Sequence, residues 1–193
     1  MKKLQYRDIL SLDDYEARRD SIKHKIIEHK KHRSVLIGDH ILLLFEDYQT
    51  IRYQVQEMLR IEKIEKKSDI LEELKAYTPL IPDGDNLKAT MLIMYPDVSQ
   101  RRIMLEKLNG IENEIWISTD SGKRIFANSD EDLERANDKK TSAVHFLRFQ
   151  LNPDCIYAIK NDGKLCIGSN HLSYDMSIII DNRTLKSLRE DID

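Results

Sequence analysis

TSAVHFLRFQL, Thr141 to Leu151, alternates without a break: Ala143, His145, Leu147, Phe149 and Leu151 fall on one side, and Val144, Phe146, Arg148 and Gln150 on the other. Period-two alternation of this kind predicts a strand with one face on a core. Arg148 then projects from a face shared with Val144 and Phe146. A guanidinium there needs a carboxylate or a ligand, because its charge cannot be shed. Glu46, Glu57 or another acid is the expected partner, and a ligand carboxylate or phosphate is the alternative.

The chain on either side of this strand sets the class. Downstream, Asp162-Gly163 is a turn signal that predicts a hairpin over 155–169, followed by the strand YDMSIIID and an amphipathic helix in NRTLKSLRED. In that hairpin Ile159 faces Cys166, and Cys155 lies about 13 Å along, at about 3.3 Å per residue. That is too far for a disulfide, so both cysteines are expected to be free buried thiols. Upstream, LKATMLIMYP reads as a buried strand, DVSQRRIMLEKLNG as a capped helix ending at Gly110, and ENEIWIST as a strand, a β-α-β pattern. SDEDLERANDKK is an acidic excursion and PLIPDGDN the clearest linker.

The first third is helical. Ser11-Leu-Asp-Asp14 has capping-box form and opens a helix over 11–33 with Tyr15, Ile22, Ile26 and His29 at helical spacing. RSVLIGDHILLLFE predicts two strands joined at Gly38-Asp39, and Ser68-Asp69 caps a short helix that stops before Pro79 and Pro82. The expected fold is α+β: N-terminal helices with a hairpin, then a mostly antiparallel sheet with one β-α-β unit and a C-terminal helix. It forms a single domain over 1–193, with a possible division into a helix-rich 1–79 and a sheet-rich 86–193.

Between the hairpin and the short helix lies FEDYQTIRYQVQEMLRIEKIE, Phe45 to Glu65. From Gln49 one helical face carries Ile51, Val55, Met58 and Leu59, and the other carries Thr50, Tyr53, Gln54, Glu57 and Arg60. The polar stripe is expected to be wiring that holds this helix to the sheet, with Glu57 paired to Arg60 one turn on. In the alternative, Glu46 and Glu57 ligate or protonate something, and Glu46, Gln54, Glu57, Arg60, Arg148, His171 and Tyr174 line one pocket. His171 and Tyr174 sit in a turn, where a histidine can work as acid, base or ligand near neutral pH.

Charged residues make up 34% of the chain but nearly cancel, with a net charge of −3, so no global field marks a nucleic-acid or membrane binder. The local exception is the basic face of the first helix, where Arg18, Arg19, Lys23, Lys25, Lys30, Lys31 and Arg33 cluster. It lacks interleaved aromatics and a Gly-rich phosphate loop, so nucleic acid is a weak alternative to a solvated face or an acidic protein partner. The start, MKKLQYRDILSLDD, has no continuous apolar region, and the apolar runs are too short to span a bilayer, so a soluble cytoplasmic protein is expected. Two cysteines without a CxxC pair give no zinc or iron–sulfur framework. Glu28, His29 and His32 do not form a diiron Glu-x-x-His pair. No metal or cofactor is indicated.

FEDYQTIRYQVQEMLRIEKI, YTPLIP, ATMLIMYPD, WIS, SAVHFLRF and HLSY together resemble the bacterial family catalogued as domain of unknown function 3501, over nearly the whole chain. Where that family tends to carry Asp-His-Pro-x-Tyr, this chain has Asn170-His171-Leu172-Ser173-Tyr174, without the acid and the proline. The resemblance implies no assigned activity. It does imply genes often found near rubrerythrin-like and iron–sulfur oxidoreductase-like proteins, and hence an iron–sulfur or rubrerythrin-like partner. The leading expectation is an accessory, protein-interaction domain in a redox or iron-linked pathway. The rival is a small-molecule binder or enzyme.

Overall fold

The structure is a computed structural model that describes residues 3–120, 122–133, 135–137, 139–161 and 163–193. Helix α1 (Leu12–Lys31) starts at Ser11, whose Oγ accepts from the Asp14 amide at 3.2 Å. Strands β1 (Ser34–Ile37) and β2 (Ile41–Phe45) form the first hairpin, with Ile37 opposite Ile41 and Gly38 at φ +58 in the turn, a conformation that favours glycine. Asp47 and Thr50 then cap helix α2 (Tyr48–Glu62) reciprocally: Asp47 Oδ1 accepts from Thr50 N at 2.8 Å, and Thr50 Oγ1 from Asp47 N at 2.9 Å. Helix α3 (Lys67–Tyr77) follows. Its start differs from expectation. Lys66 is the N-cap residue, and Ser68 lies inside the first turn with its hydroxyl on Asp69.

The remaining elements are β3 (Asn86–Ile93), α4 (Val98–Lys107), β4 (Ile115–Thr119), β5 (Arg124–Phe126), β6 (Asn128–Ser129), β7 (Val144–Gln150), α5 (Pro153–Lys160), β8 (Leu165–His171), β9 (Tyr174–Ile179) and α6 (Asn182–Arg189). They build two antiparallel sheets, one in the order β1-β2-β3-β7-β6 and one in the order β5-β4-β8-β9. The chain passes from one sheet to the other at Ala127, between β5 and β6, where the Ala127 amide bonds to Ile115 O at 2.8 Å. At the far side Tyr174 on β9 joins the sheets again. Its hydroxyl donates to Ile37 O at 2.7 Å and accepts from His40 N at 3.0 Å.

The inner faces of both sheets share one core. Ile37, Leu43, Phe45, Leu87, Met91, Leu147 and Phe149 meet Ile115, Ile117, Leu165 and Ile167, with Leu108, Ile159 and Leu188 closing the ends. Each such side chain contributes about 1.5–3 kcal/mol of burial. A second cluster, Ile51, Val55, Leu59, Ile70, Leu74 and Ile81, packs α2 on α3 and the segment after it.

The α+β class is therefore as expected, and two further local expectations are corrected. β3-α4-β4 is not a β-α-β unit within one sheet, because β3 and β4 belong to different sheets. The expected hairpin over 155–169 is a helix followed by β8. Asn152 caps α5 by accepting from Cys155 N at 2.8 Å, and Pro153 occupies the first helical turn. Cys155 and Ile159, read as strand positions, are one helical turn apart and both buried. Asp162 of the expected turn lies outside the described residues. Both cysteines are free, as expected, but only Cys155 is buried, which pushes its thiol up to about 11; Cys166 is half-buried. No described helix is long and apolar enough to cross a membrane.

Candidate functional site

The alternation of β7 sends His145, Leu147 and Phe149 into the core and leaves Phe146 and Arg148 on the outer face of the five-stranded sheet. Register does the rest. Lys88 of β3 lies opposite Arg148, Thr90 opposite Phe146, and the Glu46 amide bonds to Lys88 O at 2.8 Å just beyond β2. Glu46, Lys88 and Arg148 thus stand side by side across three strands. Pro79, Leu80 and Asp83 wall this row on one side and Glu131 and Asp132 on the other, enclosing a cleft of about 440 Å³. A larger groove of about 740 Å³, between residues 3–6 and α3, is lined mainly by apolar groups and carries no comparable row of charges.

Each cation of the cleft has its own oxygens. Lys88 Nζ donates to Pro79 O (2.8 Å), Ile81 O (2.9 Å) and Asp83 Oδ2 (2.7 Å), which uses all three of its donors. Arg148 grips Glu131 with Nε and Nη2, both at 2.7 Å, and reaches Gln150 Oε1 with Nη1 at 2.6 Å. That fork holds the Glu131 carboxyl below the usual carboxylate range. Glu46 is different. It is 5% exposed and accepts from Thr90 Oγ1 at 2.7 Å and Thr50 Oγ1 at 2.6 Å, yet no cation lies within ion-pair distance among the described residues. On the outer wall Arg135 pairs with Asp132 and lays its guanidinium 4.5 Å from the Phe146 ring centroid.

The match to known proteins extends over the same chain length. A family model described as a protein of unknown function, DUF3501, matches residues 3–192. The chain belongs to the DUF3501 family. A search of curated proteins returns no match. Among solved structures, the crystal structure of a novel protein of unknown function from Burkholderia pseudomallei K96243 is similar to it, with 45% identity, a TM-score of 0.95 and full coverage of both chains.

Of the sequence-predicted pocket, this DUF3501 chain brings together only Glu46 and Arg148. Arg148 pairs with Glu131, an acid from the excursion after β6, and not with Glu46 or Glu57. Glu57 and Arg60 lie between helices. Glu57 accepts from Arg19 Nε at 2.8 Å and Nη2 at 2.9 Å, from Tyr15 Oη at 2.6 Å and from Arg60 at 3.2 Å. The stripe is divided: Glu57 ties α2 to α1, and Thr50 ties it to Glu46 at the end of β2. Gln54 lies beside Tyr77 of α3. His171 sits in the β8–β9 hairpin, where Nε2 donates to Asn109 O at 3.2 Å and Nδ1 accepts from Ser173 N at 3.2 Å, while Tyr174 ties the two sheets together. The expected common pocket is thus divided among separate places, since the residues that filled it on sequence belong to different faces of the fold.

Arg19 pulls the Glu57 carboxyl down to about 2, assisted by Tyr15 and Arg60. A depressed carboxyl contributes stability that is present above its ordinary value and is lost as pH falls towards 2. Glu57→Gln should therefore lower unfolding stability by about 1–2 kcal/mol at pH 7 and less at pH 3, measured by urea denaturation at both. Equal losses at the two pH values would contradict this.

The basic patch is also smaller than expected. Arg33 is buried, Arg19 is committed to Glu57, and Lys31 pairs with Glu28 at 2.6 Å. Lys30 leans on the Tyr53 ring at 6.0 Å, which leaves Arg18, Lys23 and Lys25 exposed. Lys88, Asp83 and Glu131 were missed as cleft residues. Lys88, a single charge inside an apolar strand, was the signal that pointed to them. Also missed was His145, fully buried between Asp130 (2.5 Å to Nδ1) and Thr141 (2.7 Å to Nε2), with Ser142 O 3.0 Å from Nε2. Thr141 donates in turn to Glu112 at 2.8 Å. Both ring nitrogens face oxygens, so the histidine locks the excursion after β6 to the core.

Proposed function

We propose that the protein is a small-molecule-binding module whose ligand occupies the cleft on the outer face of the five-stranded sheet. The observation that carries this reading is the row Glu46, Lys88 and Arg148 at the base of a cleft of about 440 Å³, a volume within the ordinary range of ligand sites. Pro79, Leu80 and Phe146 supply the apolar walls such sites need. The described lining holds no histidine, cysteine or hydroxyl nucleophile, so binding accounts for it better than nucleophilic catalysis by such a group. The free thiols fit the cytoplasmic location expected from the sequence.

Saturation-transfer NMR with a panel of amines, amino acids and dicarboxylates tests this reading. At least one member should bind, and its signal should vanish in Leu80→Trp, which fills the cleft from its wall. Binding indifferent to Leu80→Trp, or none across the panel, would contradict it.

A second reading, an accessory domain that binds a polypeptide, is favoured by β9. It is an edge strand with Met176 (47%), Ile178 (44%) and Ile179 (58%) exposed, next to a fully exposed Leu172. The redox or iron-linked pathway, with an iron–sulfur or rubrerythrin-like partner, rests on the family resemblance alone. The nucleic-acid alternative has the weaker footing, since Arg33 is buried and Arg19 is committed to Glu57.

A further inference from the structure

We propose that the cleft selects a cation: an ammonium or guanidinium group on a short aliphatic stem, with its charged end at Glu46. This rests on the ligand-binding reading above and names the class of ligand.

The argument starts from charge. Lys88 and Arg148 are matched by Asp83 and Glu131, and Asp132 by Arg135. Glu46 alone among the carboxylates lining the cleft has no described cation, although it is the most deeply buried of them. The two threonine hydroxyls orient its oxygens and fill part of their hydrogen-bonding capacity, but they bring no positive charge. Arg33 bonds to the Glu46 backbone oxygen at 3.0 Å, not to its carboxylate, and its own charge meets Asp191 and Asp47. A buried carboxylate without a counter-charge is costly, and a cation entering the cleft removes that cost. An anionic ligand would have to displace Glu131 or Asp83 from its partner and would then face Glu46.

The apolar wall points the same way. Phe146 adds apolar surface to the cleft; its ring already holds the Arg135 guanidinium, so it serves the aliphatic stem and not the charged end. Leu80 and Pro79 offer the opposite side to an aliphatic stem. The charged end reaches Glu46 across Thr90, which lies between Glu46 and Phe146 on the sheet.

The test is isothermal titration calorimetry of the full chain with 1,4-diaminobutane, agmatine, Nα-acetyl-lysine methylamide and, as the anionic counterpart, glutarate. At least one of the three cations should bind with a Kd below about 1 mM. Glu46→Gln, which keeps an acceptor for a threonine and changes the charge, should weaken it at least tenfold while the thermal melt shows an intact fold. Leu80→Trp should block it without touching Glu46. The tighter of the free amines and the lysine amide identifies the source as a metabolite or a peptide side chain, and either supports the cation class. Cation binding unchanged in Glu46→Gln would overturn the proposal. Glutarate binding in place of the cations, lost in Leu80→Trp, would overturn the cation class and leave the ligand cleft standing. No binding by any of the four would also overturn the class, and the wider NMR panel then decides the cleft itself.

Discussion

Arg33→Met should lower unfolding stability by about 3–5 kcal/mol and the melting temperature by on the order of 10 °C. Arg33 is 1% exposed and lies at the junction of three parts of the chain. Its Nε donates to Phe45 O at 3.0 Å, Nη1 to Ser187 O and Oγ at 3.2 Å, and Nη2 to Glu46 O at 3.0 Å and to the Asp191 carboxylate. Asp47 stands 3.5 Å from Nε and also meets His29 at 2.5 Å. Removing the guanidinium strands a buried carboxylate at Asp191 and unties α6 from the end of β2, which is also where Glu46 is set. Guanidinium denaturation reads the loss. The double variant Arg33→Met/Asp191→Asn should recover part of it, because the stranded charge is gone. A single-variant loss under about 1 kcal/mol would mean that this network does not hold the C-terminal helix.

The same network should give the protein a stability that falls between about pH 4 and pH 6. Burial pushes the Asp191 carboxyl up to about 6 from an ordinary 3.8, with Asp47 and Glu190 adding to the rise and Arg33 opposing it. Between those values the folded chain binds the proton that the unfolded chain has lost. Stability from this group is therefore present below 3.8 and is lost as pH rises through about 6, a change of about 3 kcal/mol. Asp47 behaves oppositely. Burial raises its carboxyl, but His29, Arg33 and the Thr50 amide outweigh burial and hold it below the usual range. With Glu57 it removes stability only at lower pH. Melting temperature should peak near pH 4, and Asp191→Asn should flatten the decline from about pH 4.5 to pH 6. A variant with the wild-type slope over that interval would show that another group sets it.

How much of this was legible in the sequence depends on the range of each interaction. Most local signals were reliable, although the Ser68-Asp69 cap was displaced to Lys66. The unbroken alternation of 141–151, the Ser11 cap and the Gly38 turn all specify their elements from neighbouring residues, and the α+β class follows from them. The division into two sheets was not legible, because it depends on Ala127 pairing with Ile115 and on Tyr174 reaching Ile37, contacts far apart in the chain. Helix α5 was lost to a competing local signal, Asp162-Gly163, although Asn152-Pro153 already carried a helix start.

The cleft followed the same division. Arg148 and Glu46 were readable because a charge on a strand face, or at a strand end, needs a partner. That Lys88 stands between them required the register of β2, β3 and β7. Glu57 was readable as a paired buried acid, but its main partner, Arg19, lies on another helix, beyond what helical periodicity can reach.

The most direct single measurement is a ¹H–¹⁵N correlation spectrum of the labelled protein titrated with 1,4-diaminobutane and agmatine. The expected result is saturable shifts confined to the amides of Glu46, Lys88 to Thr90, Phe146 to Arg148 and the walls at 79–83 and 131–133. Shifts centred instead on the Glu57–Arg19 face or the β8–β9 hairpin, or no saturable shifts at all, would contradict a cation-binding cleft on the outer face of the sheet.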